Sequence, residues 1–334
     1  MTAQMIDAYG RSINYLRLSV TDRCNFRCAY CMAEDTTVLP RSSVLSLEEL
    51  SRVCEVFVDK GVKRIRITGG EPLVRKGLMA FIANLGRRIG SNGGLDELTL
   101  TTNGSLLSKY AGDLFASGVR RVNISLDTLD PAKFRNVSRW GELRHVKGGI
   151  AEALAVGLKV KLNTVVQKGV NEAEIPEMIR WAHAQGIDLT LIELMPLGDN
   201  LAEVAARRLS LANYSATLRK QFTFEPISYK TGGPARYVRV QETGGRLGMV
   251  AAVSQCFCNS CNRVRLSCSG TLYPCLGHEG GVDMRPALRS SEGNHRLVAI
   301  IDQAIQRKQK SHDFNAADPL VRSMVGRAMN VTGG

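Results

Sequence analysis

Short runs of β-branched residues alternate with longer amphipathic stretches over the first two-thirds of the chain. β-Branched residues favour strands, and their regular placement between helical patterns predicts a series of βα units. The predicted strands are Ile13–Ser19, Arg64–Thr68, Glu97–Thr101, Arg121–Leu126, Val160–Val166 and Leu189–Leu194.

The stretches between these strands carry the signals of helices. Ser46 and Glu49 have the spacing of a capping box, and Gly61 supplies a stop signal. Pro176 suits the first turn of another helix, where its missing N–H costs little. The apolar positions recur every three or four residues, which places Cys54 in the core as an inert thiol. The stripes are Leu47, Leu50, Cys54 and Phe57; Leu78, Ile82, Leu85 and Ile89; and Leu143, Val146, Ile150 and Leu154.

Six βα units joined by right-handed crossovers form a parallel sheet that curls toward a barrel. Six units are fewer than the eight that close a barrel, so the sequence predicts an α/β fold with a partial barrel and an open side. Ligands in such folds bind at the carboxyl ends of the strands. The cysteines at 24, 28 and 31 follow the first strand, so we expect them at this end.

The pattern becomes less regular after Gly198. Ala202–Gln221 reads as one helix, Tyr237–Val240 and Leu247–Val253 read as strands, and Asn294–Lys310 reads as a basic helix with one apolar face. The sequence therefore predicts two modules. Residues 1–198 form the partial barrel, and residues 199–334 form a C-terminal module that caps the barrel mouth and binds substrate.

Composition and charge narrow the functional class. An apolar fraction of 44% supports a large core and excludes a disordered chain. No apolar run reaches the length of a membrane span, and residues 1–10 lack the core of a signal peptide, so we expect a cytoplasmic protein. Nine cysteines in a reducing compartment favour metal binding over disulfides. The net charge of +13 fits either a nucleic acid or a multiply charged phosphate substrate.

Cys24, Cys28 and Cys31 form a compact group of thiols. Three thiolates on a four-iron cluster leave one iron without a protein ligand, and that iron can bind a small molecule. Tyr30 can shield such a cluster or stack on an adenine. Structural zinc is the alternative, although it usually takes paired C-x2-C units and a fourth ligand.

Cys258, Cys261 and Cys275 form a second group, for which spacing leaves iron–sulfur and zinc equally open. Cys256 and Cys268 lie nearby and are interpreted as non-ligands. Arg263 and Arg265 occupy alternate positions of a predicted strand, so they share one face and suit a phosphate or carboxylate. Gly270 predicts a hairpin turn between the second and third cysteines.

Two motifs together resemble the radical S-adenosylmethionine (SAM) superfamily. The first is the cysteine triplet with Tyr30, and the second is Thr68-Gly69-Gly70-Glu71-Pro72 after the second strand. Glycines at a strand end allow backbone carbonyls to approach a ligand, and Glu71 can help to hold an ammonium group.

Further segments extend the resemblance over nearly the whole chain, to the GTP 3′,8-cyclase family of molybdenum-cofactor biosynthesis. They are 16–24, 66–68, 101–104, 123–127, 161–163, 192–195, 258–265 and the terminal 333–334.

This resemblance implies two four-iron clusters, SAM as a co-substrate and GTP as substrate. Cys24, Cys28 and Cys31 would hold the first cluster, and Cys258, Cys261 and Cys275 the second. The implied SAM contacts are Tyr30, Gly69, Gly70, Glu71, Ser125 and Met195. The implied GTP contacts are Arg17, Arg66, Thr101, Lys161, Arg263, Val264 and Arg265.

The implied reaction begins with one-electron reduction of the first cluster and cleavage of SAM to a 5′-deoxyadenosyl radical. The radical takes hydrogen from C3′ of GTP, and the carbon radical attacks C8 to give 3′,8-cyclo-7,8-dihydro-GTP, the first step of molybdopterin biosynthesis. The implied partners are a reducing electron donor and the downstream cyclic pyranopterin monophosphate synthase, with no nucleic acid and no membrane. A homodimer stays open.

The chain departs from the family pattern at Thr190, where many relatives carry an arginine. Lys159 and Arg236 are candidates to supply the missing phosphate contact. The terminal Gly333-Gly334 is expected to reach into the active site. The alternatives are a radical SAM peptide-maturing enzyme with an auxiliary cluster and a zinc-stabilised RNA-binding protein.

Overall fold

The computed structural model describes residues 4–32, 36–90, 94–197, 201–290, 293–312, 314, 327 and 329–333. The strands are β1 Tyr15–Ser19, β2 Arg64–Thr68, β3 Glu97–Thr102, β4 Arg121–Ser125, β5 Lys159–Val166, β6 Asp188–Glu193, β7 Phe224–Pro226, β8 Arg236–Val240, β9 Arg246–Val250, β10 Arg263–Leu266, β11 Thr271–Tyr273 and β12 Val282–Asp283. The helices are α1 Leu47–Asp59, α2 Leu78–Gly86, α3 Leu107–Ala116, α4 Pro131–Ser138, α5 Leu143–Ala155, α6 Ile175–Ala184, α7 Leu201–Arg207, α8 Leu211–Leu218, α9 Arg285–Ser290, α10 His295–Gln306 and α11 Met329–Thr332.

These strands form one sheet in the order β12-β11-β10-β1-β2-β3-β4-β5-β6-β9-β8-β7. The strands β1 to β6 are parallel neighbours, as the predicted βα units require, so the predicted α/β class with a partial barrel is confirmed. The C-terminal residues extend the sheet at both edges. Strand β10 joins β1 in parallel, and β9 joins β6 in parallel.

The two faces of the parallel strands differ in character. One set of alternating residues is apolar and belongs to the hydrophobic core that includes the helices, for example Leu16, Ile65 and Val264. The other set faces the barrel interior and is mostly polar, for example Arg17 and Arg66. Sheets buried on both faces usually have apolar strands throughout. A polar inner face therefore indicates a chamber built for a polar ligand.

The helix signals in the sequence are confirmed where they concern local geometry. The Ser46 side chain accepts a hydrogen bond from Glu49 N at 3.1 Å, and the Glu49 carboxylate accepts one from Ser46 N at 2.7 Å, which is the predicted capping box. Cys54 is fully buried in α1, as predicted. Pro176 stands in the first turn of α6.

Three predicted helix bounds were wrong. The single helix predicted over Ala202–Gln221 is two helices, because Ser210 caps α8 by accepting from Asn213 N at 3.4 Å. Ile89 lies beyond the end of α2. The basic helix α10 ends at Gln306, and the buried side chain of Lys308 follows it.

Across the described ranges, no helix combines the length and apolarity that a membrane span requires.

Candidate iron–sulfur and nucleotide site

The first cysteine group lies in the loop that leaves the carboxyl end of β1. Cys24, Cys28 and Cys31 are all partly exposed. The loop is pinned to the end of α4, because Arg27 N donates to Ser138 O at 3.0 Å and Ala29 N donates to Val137 O at 3.0 Å. The three thiols therefore sit on a fixed loop at the end of the barrel where the sequence predicted them.

The glycines of the Gly-Gly-Glu motif hold this loop close to β2. A Cβ on Gly69 would lie 2.5 Å from Thr21 O, and one on Gly70 would lie 2.4 Å from Arg23 O. Gly70 N donates to Thr21 O at 2.8 Å. Only glycine permits this approach, so the motif fixes the backbone that leads into Cys24.

Glu71 is fully buried, and its carboxylate binds the neighbouring backbone. Oε1 accepts from Leu73 N at 3.0 Å and from Thr102 Oγ1 at 2.8 Å, while Oε2 accepts from Asn103 N at 2.7 Å. Burial raises the pKa of Glu71 to about 7 despite these bonds. The carboxylate thus joins the ends of β2 and β3 behind the first cysteine group.

Tyr30 is held by a residue that the sequence analysis did not single out. Its hydroxyl donates to Asp127 Oδ2 at 2.7 Å, and Asp127 Oδ1 accepts from Val165 N at 2.9 Å. Burial raises the pKa of Asp127 to about 6. Ser125 ends β4 just before this pair, and Met195 follows β6, so the implied SAM contacts line the carboxyl ends of the strands.

Burial also governs the thiols of the first group. It raises the pKa of Cys24 and Cys28, and it raises that of Cys31 to about 12. Thiolates, not thiols, ligate iron. Metal binding at these residues must therefore release protons, and the metal supplies the charge that makes the thiolates stable.

The implied GTP contacts, apart from Val264, project from one face of the sheet into the barrel. Arg17 pairs in register with Arg66 on one side and with Arg265 on the other. Arg263 stands two residues before Arg265 on the same face. Thr101 and Lys161 also lie on this face, and both pair in register with Asn123 on the strand between them. We call these six side chains the inner cation face: Arg17, Arg66, Thr101, Lys161, Arg263 and Arg265.

The cations of this face repel one another in a buried setting. Burial, followed by the charges of Arg265 and Arg66, lowers the pKa of Arg17 well below its ordinary value. Burial and Arg263 lower that of Arg265 to about 10. Like charges on adjacent strands destabilise a sheet. An anion bound between them, such as a triphosphate, would offset this repulsion.

Lys161 and Thr190 both lie beside Tyr237, another residue that the sequence analysis did not single out. Lys161 Nζ donates to the Tyr237 hydroxyl. Burial, then the charges of Arg66 and Arg121, lower the pKa of Lys161 to about 7. A Cβ on Gly248 would lie 2.8 Å from both Thr190 Oγ1 and the Tyr237 ring. Tyr237 therefore fills the space beside Thr190, and a long arginine side chain at position 190 would have to displace it.

Three predicted contacts are placed differently from the inner cation face. Val264 is 1% exposed and packs in the helix-covered core, so only its backbone can face the chamber. Lys159 and Arg236, proposed as substitutes for the missing arginine, both have exposed side chains. By contrast, Thr101 Oγ1 is buried with no hydrogen-bond partner among the described residues. A bound ligand could supply the missing partner.

The second cysteine group lies at the opposite end of the barrel from the first. Cys258 and Cys261 precede β10, and Cys275 follows β11, which returns antiparallel to β10 through the predicted Gly270 turn. Tyr15 N, at the start of β1, donates to Asn262 O at 3.2 Å. Since β1 has five residues, the two groups are roughly 15 Å or more apart, with the inner cation face between them.

Two buried cations frame the second group. Arg11 donates to Cys258 O at 2.8 Å and to the carbonyls of Gln309 and Lys310 at 2.7 and 2.9 Å. Lys308 Nζ donates to Arg263 O at 3.0 Å and to Pro274 O at 2.5 Å. The segment after α10 thus ties both cysteine-bearing stretches together.

The charge of Lys308 also acts on a thiol. Burial alone would raise the pKa of Cys261, but the charges of Arg263 and Lys308 outweigh it and lower that pKa to about 7. The Cys261 thiol therefore reaches the thiolate form, which ligates metals, more readily than an ordinary cysteine.

The C-terminal tail reaches the mouth of the barrel. Asn330 Nδ2 donates to Asp22 O at 3.3 Å, and Arg265 Nη1 donates to Gly333 O at 2.6 Å. A Cβ on Gly333, which has φ +74°, would lie 2.2 Å from Thr68 Cγ2. This glycine is therefore required where the tail crosses β2, and Gly334 lies outside the described residues.

The two additional thiols lie in different places. Cys268 is fully buried at the far end of β10, and burial raises its pKa to about 12. Cys256 is exposed beside Cys258, whose backbone N–H donates to Cys256 Sγ at 3.4 Å. His312 is distant from both cysteines in the sequence, yet one of its ring nitrogens lies within 4.8 Å of both sulfurs.

Family models match both parts of the chain. Residues 18–182 match the radical SAM superfamily, and residues 187–314 match the family described as Molybdenum Cofactor Synthesis C.

Relatives named GTP 3′,8-cyclase match over essentially the full length. The Sinorhizobium medicae protein is 56% identical over 333 residues, which cover 100% of this chain and 95% of the relative. The Mesorhizobium japonicum protein is 56% identical over 330 residues, with 99% of each chain covered. The Brucella suis protein is 55% identical over 333 residues, with 100% and 96% covered.

The similar solved structures support the fold. Streptococcus suis SuiB bound to S-adenosylmethionine has a TM-score of 0.59 and 17% identity, covering 87% of this chain and 67% of SuiB. SuiB bound to its precursor peptide SuiA has a TM-score of 0.60 and 16% identity, covering 88% and 66%. Taken with the relatives and the paired cysteine groups, these findings show that the chain belongs to the GTP 3′,8-cyclase family of radical SAM enzymes.

Proposed function

We propose that this protein converts GTP to 3′,8-cyclo-7,8-dihydro-GTP in the first step of molybdopterin biosynthesis. The observation that carries the proposal is the inner cation face between two cysteine groups. Four arginines and a lysine line one chamber, and the pKa values of Arg17, Arg66, Lys161 and Arg265 are all lowered by burial. The cations point into the barrel, which suits a small polyanion better than an RNA strand.

At the carboxyl end of the strands, Cys24, Cys28 and Cys31 would hold a four-iron cluster beside SAM. When bound, this pair would supply the radical chemistry that removes hydrogen from C3′ of the ribose. The chain's own contribution is position. Asp127 fixes the Tyr30 side chain between Cys28 and Cys31, and Gly69, Gly70 and Glu71 fix the loop that carries Cys24.

Inside the barrel, the inner cation face binds the triphosphate. Arg17, Arg66 and Arg265 lie on three adjacent strands, so their guanidinium groups can contact different phosphate oxygens. Thr101 Oγ1 offers an unused buried hydroxyl to the nucleotide. The tail over β2 helps to exclude water, which protects a radical from quenching.

At the other end, Cys258, Cys261 and Cys275 would hold a second four-iron cluster, which would supply an iron without a protein ligand to the substrate. Support comes from the lowered pKa of Cys261 and from the fixed backbone around Cys258 and Cys275. A ready thiolate and a rigid loop suit a resident metal group.

The proposal also includes the surroundings of the reaction. A reducing electron donor delivers electrons, and cyclic pyranopterin monophosphate synthase takes the product. The chain works as two modules, residues 1–198 and 199–334, in the cytoplasm, either as a monomer or as a homodimer.

GTP-dependent cleavage of SAM tests the proposal. The full-length protein is reconstituted anaerobically with iron and sulfide, then mixed with SAM, a reductant and either GTP or ATP. We expect 5′-deoxyadenosine and the cyclised nucleotide with GTP, and neither product in a Cys28→Ala variant. Equal 5′-deoxyadenosine formation with and without GTP, and no cyclised nucleotide, would refute the proposed substrate.

A further inference from the structure

Three metal-ligating side chains converge outside the barrel interior. The ligand atoms of Cys256, Cys258 and His312 all lie within 4.8 Å of one another. One tetrahedral Zn²⁺, with bonds of about 2.3 Å to sulfur and about 2.0 Å to nitrogen, holds its ligands roughly 3.5–4 Å apart. The spacing is close to that of a single ion. Cys261 and Cys275 do not belong to this set, which was found among the described residues.

The His312 ring is oriented in the way that metal-binding histidines are. Nε2 lies 2.7 Å from Ala252 O, and because a carbonyl can only accept, Nε2 carries the proton. Nδ1 then carries the lone pair, which accepts from Phe314 N at 3.2 Å, so a metal ion bound at Nδ1 would replace this hydrogen bond. Metal-ligating histidines almost always donate their other N–H to such a carbonyl or carboxylate.

The two thiols differ in exposure, which suits capture of an ion from solution. Cys258 is buried, and Arg11 fixes its carbonyl at 2.8 Å. Cys256 is exposed and precedes Cys258 by two residues. The exposed thiol provides the entry path, the buried thiol and imidazole provide the fixed ligands, and the exposed side leaves the fourth position to water.

We propose that Cys256, Cys258 and His312 form a site for a single divalent zinc or iron ion. This ion and the second four-iron cluster cannot bind at the same time, because both need Cys258 as a ligand. The competition with the cluster rests on the proposed function, whereas the ion site itself does not. Borderline metal ions suit two thiolates and an imidazole. The chain thus holds a mononuclear ion at this end of the barrel when the cluster is not assembled, and excess zinc opposes loading of the cluster.

Zinc binding to the full-length chain tests the inference. The protein is purified in air with a thiol reductant, so that no cluster is retained, and Cys24, Cys28 and Cys31 are changed to Ser to remove the first group. Zinc content after dialysis is measured by mass spectrometry, and the zinc ligands are identified by X-ray absorption. We expect about one zinc per chain, bound by two sulfurs and lighter atoms that include an imidazole nitrogen.

Single substitutions then separate the two sets of ligands. Cys256→Ser and His312→Ala should each weaken zinc binding at least about tenfold. Cys261→Ser and Cys275→Ser should leave it within about threefold, as should the control Cys268→Ser. Circular dichroism identifies any variant that fails to fold. The number of sulfur ligands is measured on the parent protein, in which only Cys24, Cys28 and Cys31 are changed to Ser, so it tests the site without these further substitutions.

Three results would overturn the inference: no zinc in the parent protein, three or more sulfurs around it, or a dependence on Cys261 and Cys275 instead of Cys256 and His312. Failure of the proposed function is a different result. It would show as an absence of GTP-dependent 5′-deoxyadenosine in the reconstituted wild-type protein, whatever the zinc experiment finds.

Discussion

Lys308 provides the sharpest test of how the second cysteine group is built. Lys308 is 2% exposed, and its ammonium donates to Arg263 O and Pro274 O, which lie on the two stretches that carry the cysteines. Lys308→Met keeps the apolar stem and removes the donors. Each buried carbonyl left without a partner costs about 1–3 kcal/mol. With two such carbonyls, the expected loss in the free energy of unfolding is about 2–6 kcal/mol.

Part of this loss is offset, because removing a buried ammonium also removes its desolvation cost. The offset depends on nearby negative charge. A loaded cluster with its thiolates compensates the ammonium, whereas the cluster-free chain compensates it less. We therefore expect Lys308→Met to destabilise the iron-loaded protein more than the cluster-free protein.

Anaerobic urea unfolding of both forms, followed by tryptophan fluorescence, measures these differences. Lys310→Met is the matched control, because its side chain is exposed and Arg11 binds only its backbone carbonyl. The control should change the free energy of unfolding by less than about 0.5 kcal/mol. A Lys308→Met protein as stable as this control in the iron-loaded form would show that the buried ammonium does not hold the second group together.

Three further predictions concern the barrel. GTP binding should take up nearly one proton at pH 8 and almost none at pH 6, because the pKa of Lys161 is about 7 in the free chamber and a bound polyanion raises this pKa. Calorimetry in two buffers measures the proton uptake. Lys161→Met should abolish the uptake. Gly70→Ala should lose the first cluster's iron, because the added Cβ would lie 2.4 Å from Arg23 O. The control Gly112→Ala should keep the iron, because its Cβ would meet no atom within 4 Å. Equal iron content in the two variants would contradict the role given to Gly70. Tyr30→Phe should weaken SAM binding about fivefold through loss of the Asp127 hydrogen bond, and unchanged affinity in equilibrium dialysis would exclude this positioning.

The sequence predicted the features that depend on local patterns. The strand Arg64–Thr68 and the capping box at Ser46 were predicted correctly because each follows from the residues within one element. Alternation along β10 also placed Arg263 and Arg265 on one face. The same alternation puts the Val264 side chain on the opposite face, where it is buried.

Long-range pairing could not be predicted from the pattern. Strand β10 joins β1 across roughly 250 residues, and nothing in either strand specifies that partner. This pairing puts the second cysteine group at the amino end of the barrel strands, while the tail at Gly333 reaches the other end. Asp127, Lys308 and Arg11 were missed because a lone charged residue in a sequence usually indicates a solvated surface.

The iron content of the anaerobically reconstituted protein tests most directly the claim that two incompletely ligated clusters lie at opposite ends of one cationic chamber. We expect about eight irons per chain in the parent, and about four in either Cys24→Ala or Cys258→Ala. A parent protein with about four irons, unchanged by Cys258→Ala, would contradict the account.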